Sequence, residues 1–192
     1  MSRAPFASET ALRVEAVRIA EYACNGRVGR VLGDPVFKVV TEGRGGARHY
    51  SACGDLAHYM LKELGVKNER LVNRNDDGGP VPWAIGKNLS RIVYGAGGAF
   101  VWARPGRRPK PGDILYVAMP EHVCVLERLD DARGRVSTFD YGQWDYTQNK
   151  PAGRRVERQF GSAGKQTLFV GSRILKGWLD LSLLPGLVAP AV

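Results

Sequence analysis

The stretch PGDILYVAMPEHVCVLERLDDARGRVSTFDYG, residues 111–142, decides the fold class. Three runs in it are rich in branched and aromatic residues: Asp113–Met119, His122–Leu129 and Arg135–Tyr141. Such runs, bounded by turn residues, read as β-strands, and DDARG between the last two reads as a hairpin turn. Downstream, Thr167–Leu175 (TLFVGSRIL) reads as one further strand. Upstream the period changes. Residues 8–24 read as a helix, capped by Ser8 and stopped by Asn25-Gly26, with Leu12, Ala16, Ile19 and Ala23 on one buried face. Ser51–Leu64 reads as a second helix, with Ser51 as cap, Asp55 in its first turn and Gly65 after its end. Its apolar stripe is Leu56, Met60 and Leu64, with Ala57 and Leu61 alongside. Trp83–Tyr94 is a third helix candidate, Val36–Val40 a short strand, and the segment after it a Gly-rich loop. Helices first and antiparallel strands afterwards is an α+β pattern.

The chain has 192 residues, the size of one domain, expected to span 1–192 with 1–7 and 185–192 as loose termini. Its formal net charge of +9 favours anionic partners. Arg104, Arg107, Arg108 and Lys110 form one basic patch, and Arg154, Arg155 and Arg158 another. Most of these read as solvated surface. No array of basic and aromatic residues is present, so nucleic acid is not an expected partner. Three cysteines, Cys24, Cys53 and Cys124, imply no disulfide framework. No signal peptide and no apolar run of roughly 18 residues is visible, so synthesis in the cytoplasm and no membrane span are expected.

Cys53 falls in the first turn of the second helix, where backbone amides favour a thiolate and can receive an oxyanion. A thiolate needs an imidazole partner. His49 lies on the Gly-rich loop, His58 lies around the helix from Cys53, and His122 opens a strand after a turn. The bland reading makes Cys53 a small buried hydrophobe and His122 a strand-edge histidine bonded to backbone. His49, Cys53, His58, His122 and Cys124 lack the spacing of a metal site, and no phosphate-cradling or dinucleotide motif is present, so no metal or cofactor is expected. A turn centred on Ala132-Arg133 sets His122 opposite Gln143 and brings Asp140 near Val125, diagonal to Cys124. Asp140 and Gln143 are thus the two candidates for orienting the imidazole.

Pro111-Gly112-Asp113 leading into a strand, followed by His122-Val123-Cys124-Val125, resembles the core of NlpC-type and CHAP-type cysteine peptidases and amidases. The upstream Tyr50-Ser51-Ala52-Cys53-Gly54-Asp55-Leu56 resembles their nucleophile helix. Together the two regions cover residues 48–65 and 109–145. The chain departs from those families at Ala52, usually Asp or Gln, and at Cys124, usually a small residue. The resemblance implies a papain-like α+β fold, with N-terminal helices packed on an antiparallel sheet. It implies Cys53 as nucleophile, His122 as base and then acid, and a third polar residue slightly inward on the neighbouring strand, where Asp140 matches. The Cys53 amide and Tyr50 are the oxyanion candidates. The implied substrate is a peptidoglycan peptide, cleaved by a lysin or by an effector delivered through a dedicated secretion machine or lysis, with an immunity or adaptor protein as a further partner. Two alternatives stand beside this. One is a deamidase or protease effector acting on a host protein, since effectors resembling cycle-inhibiting factor use Cys, His and Gln in that order, which would select Gln143. The other is a catalytically inactive basic binding module.

Overall fold

A computed structural model describes residues 4–24, 53–72, 89–118, 121–145, 150–163 and 167–190. Among the described residues four α-helices come first: α1 (Glu9–Cys24), α2 (Cys53–Glu63), the single turn α3 (Glu69–Val72) and α4 (Leu89–Ala96). Seven strands follow: β1 (Phe100–Trp102), β2 (Ile114–Ala118), β3 (His122–Asp130), β4 (Arg135–Asp145), β5 (Lys150–Ala163), β6 (Thr167–Val170) and β7 (Arg173–Leu179).

All pairings within the sheet are antiparallel, and neighbours run β2-β3-β4-β5-β6-β7. β7 then returns to β2, with Ile114 opposite Leu179 and Ala118 opposite Ile174. The six strands therefore close into a barrel, and β1 adds to the free half of β7 through Phe100 opposite Leu179. This corrects the papain-like expectation of helices packed on an open antiparallel sheet. The reason lies in the segment read as one strand, Thr167–Leu175. It is a hairpin, with Val170 opposite Arg173, and its second arm continues to Leu179 so that one strand is paired along both edges. A closed sheet leaves few unpaired backbone groups, which is a general solution to the edge-strand problem. The short β1 and the long β5 are the other strands absent from the expectation. For β5 the reason is its composition. Its sequence, KPAGRRVERQFGSA, is too charged to read as one.

Two apolar cores result. Leu115, Val117, Cys124, Leu126, Val136, Phe160, Leu168, Val170, Leu175 and Trp178 fill the barrel. The opposite phase of β2–β4, including Ile114, Tyr116, Val123, Val125 and Phe139, packs outward against the helices. Leu12, Ala16, Ile19 and Ala23 bury the expected face of α1, and Leu56, Ala57, Met60, Leu61 and Leu64 that of α2. The third expected helix overlaps α4, which runs on to Ala96; residues 83–88 and Val36–Val40 lie outside the described residues.

Arg13 ties α1 to the barrel. Its guanidinium donates to Glu9 (2.7 Å), to the Pro111 carbonyl (3.0 Å), to Asp113 (2.7 Å) and to Asp180 (2.8 Å). The Pro-Gly-Asp turn of the sequence thus has an architectural role here. Gly112 has φ +89, and a Cβ there would lie 2.9 Å from that of Ala16, so the turn admits α1 only as glycine. The ends meet as well: Phe6 bridges Val188, with Phe6 N to Leu187 O at 2.7 Å and Ala189 N to Phe6 O at 2.9 Å. Among the described residues no helix is long and apolar enough to cross a membrane.

Candidate active site

Cys53 is the first residue of α2, which packs against β3 and β4. His122 opens β3, and Asp140 lies on β4. The hairpin register follows the expected turn at first, pairing Asp130 with Arg135 and Arg128 with Ser137. Between Arg128 and Leu126 it shifts, because Glu127 is an extra residue on β3, a β-bulge. Beyond it Leu126 faces Thr138 and Cys124 faces Asp140 directly. The expected placement of Asp140 near Val125 is corrected by this one residue, and the correction is consequential. Val125 points to the helix-side core, whereas Cys124 points into the barrel. In the unbulged register Asp140 would share the phase of Val125 and turn away from His122.

The bulge instead turns Asp140 into the barrel, where its Oδ2 lies 2.7 Å from His122 Nε2. The Cys53 side chain hydrogen-bonds the same imidazole. With Nε2 committed to Asp140, Nδ1 is the ring nitrogen left for the sulfur. All three groups are buried, with Cys53 2%, His122 5% and Asp140 0% exposed. Burial by itself would lower the His122 pKa, but the hydrogen bonds to Asp140 and Cys53 outweigh it and raise it. For Asp140, burial pulls upward, and hydrogen bonds from His122 and Arg158 override it, holding the carboxylate well below its ordinary range. An ionised Asp140 fixes the tautomer and orientation of the ring.

The other candidates fall elsewhere. Cys124 is buried in the barrel, and its thiol is pushed up chiefly by burial, which keeps it a protonated, inert side chain. Cys24, at the end of α1, is pushed up to about 12 by burial and donates to the Asp140 carbonyl at 3.6 Å. His58 is buried on α2. Gln143 lies on β4 opposite Ala152 of β5, past an irregularity that follows Asp140. Tyr50 and His49 lie outside the described residues. Among the described residues no cluster of His, Cys, Asp and Glu is arranged to hold a metal ion.

Two site residues were not anticipated. Thr138 donates its hydroxyl to Asp140 Oδ1 (2.6 Å), and Arg158 donates Nη1 to Oδ1 (3.0 Å) and Nη2 to Oδ2 (2.5 Å). The signal for Arg158 is its inward phase on β5, two residues from the barrel residue Phe160, a signal readable only once residues 150–163 are known to be a strand. Comparison of the chain with protein-family models, with curated proteins and with solved structures gives no match.

Proposed function

We propose that the chain is a thiol-dependent amide hydrolase with Cys53 as nucleophile, His122 as general base and acid, and Asp140 as the orienting residue. The observation that supports it is the His122 ring held between the Cys53 side chain and the Asp140 carboxylate. In this reading the Cys53 proton passes to His122 Nδ1, and the sulfur attacks the amide carbonyl carbon. Negative charge moves to the carbonyl oxygen, which the amides at the start of α2 can receive. The intermediate collapses as the C–N bond breaks, and His122 hands its proton to the leaving amine. Water then attacks the thioester, His122 takes its proton, and the carboxylate leaves as Cys53 regains the thiol.

Substrate class rests on other ground. The two short motifs resemble cell-wall hydrolases, and a +9 chain suits an anionic wall polymer, so a peptidoglycan peptide is the substrate proposed. The test is incubation with purified peptidoglycan and mass spectrometry of the released fragments, with Cys53→Ala as control. New amine termini in the wild-type digest alone support the reading; identical digests refute the substrate. The near-complete burial of Cys53 and His122 favours a second reading, a closed polar network in a binding module without catalysis. Under that reading Cys53 stays unreactive toward small alkylating agents.

A further inference from the structure

The proposed chemistry uses Cys53, His122 and Asp140, and leaves unexplained a cation inside the barrel. Arg158 sits on β5 opposite Val136, two residues along β4 from Thr138 and four from Asp140. Its side chain runs along the barrel wall to reach both Asp140 oxygens, and Nη1 also donates to the Thr138 hydroxyl. Only 18% of the side chain is exposed. Its neighbours on β5 behave differently. Arg155 faces out and binds Glu127 (2.6 Å), and Glu157 accepts from Arg128 (3.3 Å). Arg158 is thus held in place by a forked grip that matches carboxylate geometry, at the cost of desolvating a guanidinium.

Resting on the reading of His122 as the base, we infer that Arg158 is a positioning residue that acts on His122 through Asp140. The fork pins both carboxylate oxygens, keeps the group ionised and fixes the edge that meets the imidazole. Oδ2 is shared: His122 Nε2 approaches it at 2.7 Å and Arg158 Nη2 at 2.5 Å. Each donor draws on the same lone-pair density, so the guanidinium weakens the hold of Asp140 on a second ring proton. Among the described residues, the charged and titratable groups around His122 are Cys53 from α2, Asp140 from β4, Cys124 on its own strand and Glu121 just before it. Tyr116 of β2 lies near Cys53 and Glu121, and Arg173 of β7 and Arg158 lie near Cys124. Among the described residues, Arg158 is the cation in direct contact with the carboxylate that holds the ring. A base that must also release its proton to a leaving amine works best when its two protonation states are close in energy near the working pH. Arg158 tempers Asp140 toward that balance.

The test is the NMR-observed titration of the His122 ring in the full chain, for wild type, Arg158→Met and Arg158→Lys, each also in a Cys53→Ala background. Removing the cation in Arg158→Met is expected to raise the ring midpoint by about one pH unit. Arg158→Lys keeps a charge but loses the fork, and its midpoint is expected between the two. A purely architectural arginine would change the melting temperature and leave the midpoint in place, so an unmoved or lowered midpoint in every variant that folds overturns the inference. The ring reports independently of hydrolysis. A shifted midpoint beside an unreactive Cys53 sinks the hydrolase reading and keeps the Arg158–Asp140–His122 coupling.

Discussion

Asp140→Asn removes one charge from the barrel and keeps the side chain's shape. In wild type the carboxylate is fully buried and is shared by His122, Arg158 and Thr138. The amide leaves the Arg158 guanidinium facing a neutral group. Breaking a buried pair by removing one partner costs about 3–5 kcal/mol. Arg158 keeps 18% exposure and its Thr138 hydrogen bond, which sets the expectation at the lower end, about 3 kcal/mol. For a domain of this length that is a fall of roughly 10 °C in melting temperature. The pH dependence identifies the source. Asp140 is depressed in the fold, so its contribution is present above about pH 4 and drains away as pH falls through its folded value. His122 is raised, so its contribution is complete below about pH 6.5 and is lost as pH climbs through its folded value. The gap between wild type and Asp140→Asn is therefore widest between about pH 4 and 6.5, closes toward lower pH and narrows toward higher pH. Urea unfolding at a series of pH values measures it. A gap under about 0.5 kcal/mol near pH 5.5, or one that grows on acidification, refutes the ion-pair account. If the chain hydrolyses amides, the same variant loses activity by about a thousandfold or more while still binding substrate.

Three further outcomes are expected. Arg13→Met takes the cation from the buried Asp113 carboxyl, which keeps only the Lys110 and Leu181 amides, and should cost about 3 kcal/mol in chemical denaturation, with part regained on adding Asp113→Asn; a neutral Arg13→Met removes the tether from the account. At Gly177 a Cβ would lie 2.5 Å from the Val101 carbonyl and 2.6 Å from the Phe100 ring, so Gly177→Ala should push β1 off β7, cost about 2 kcal/mol and change the fluorescence of exposed Trp102; an unaltered melting curve and spectrum would falsify that packing. All three cysteines are free, so thiol titration in denaturant without reductant should count three; a count of one implies a disulfide that the fold does not contain.

Much of the helix and hairpin geometry is legible in the sequence, because period and caps act locally. The buried faces of α1 and α2 follow from spacing alone, and β3 and β4 carry the branched residues that strands prefer. The closure of the sheet is not legible. It depends on β7 finding both β2 and β6, contacts far apart in sequence, and on a charged β5 whose residues look like solvated surface. The site shows the same division. Cys53 and His122 are marked by a helix start and a strand start, whereas Asp140 reaches His122 through a bulge at Glu127 that no alternation pattern announces. Glu127 accepts from Ser137 and from Arg155 across β4 and β5, so the bulged residue is itself held by partners that only the closed sheet supplies.

The most direct test of the proposed chemistry is the site of first alkylation by iodoacetamide at pH 6, read by peptide mass spectrometry of the native protein. Burial holds the Cys24 thiol up near 12 and pushes Cys124 upward too, while Cys53 hydrogen-bonds the His122 imidazole. Cys53 is expected to be labelled well before the other two, and His122→Ala to abolish that preference. Labelling of Cys53 no faster than Cys24 and Cys124, or an unchanged preference in His122→Ala, would contradict the assignment of Cys53 and His122 as nucleophile and base.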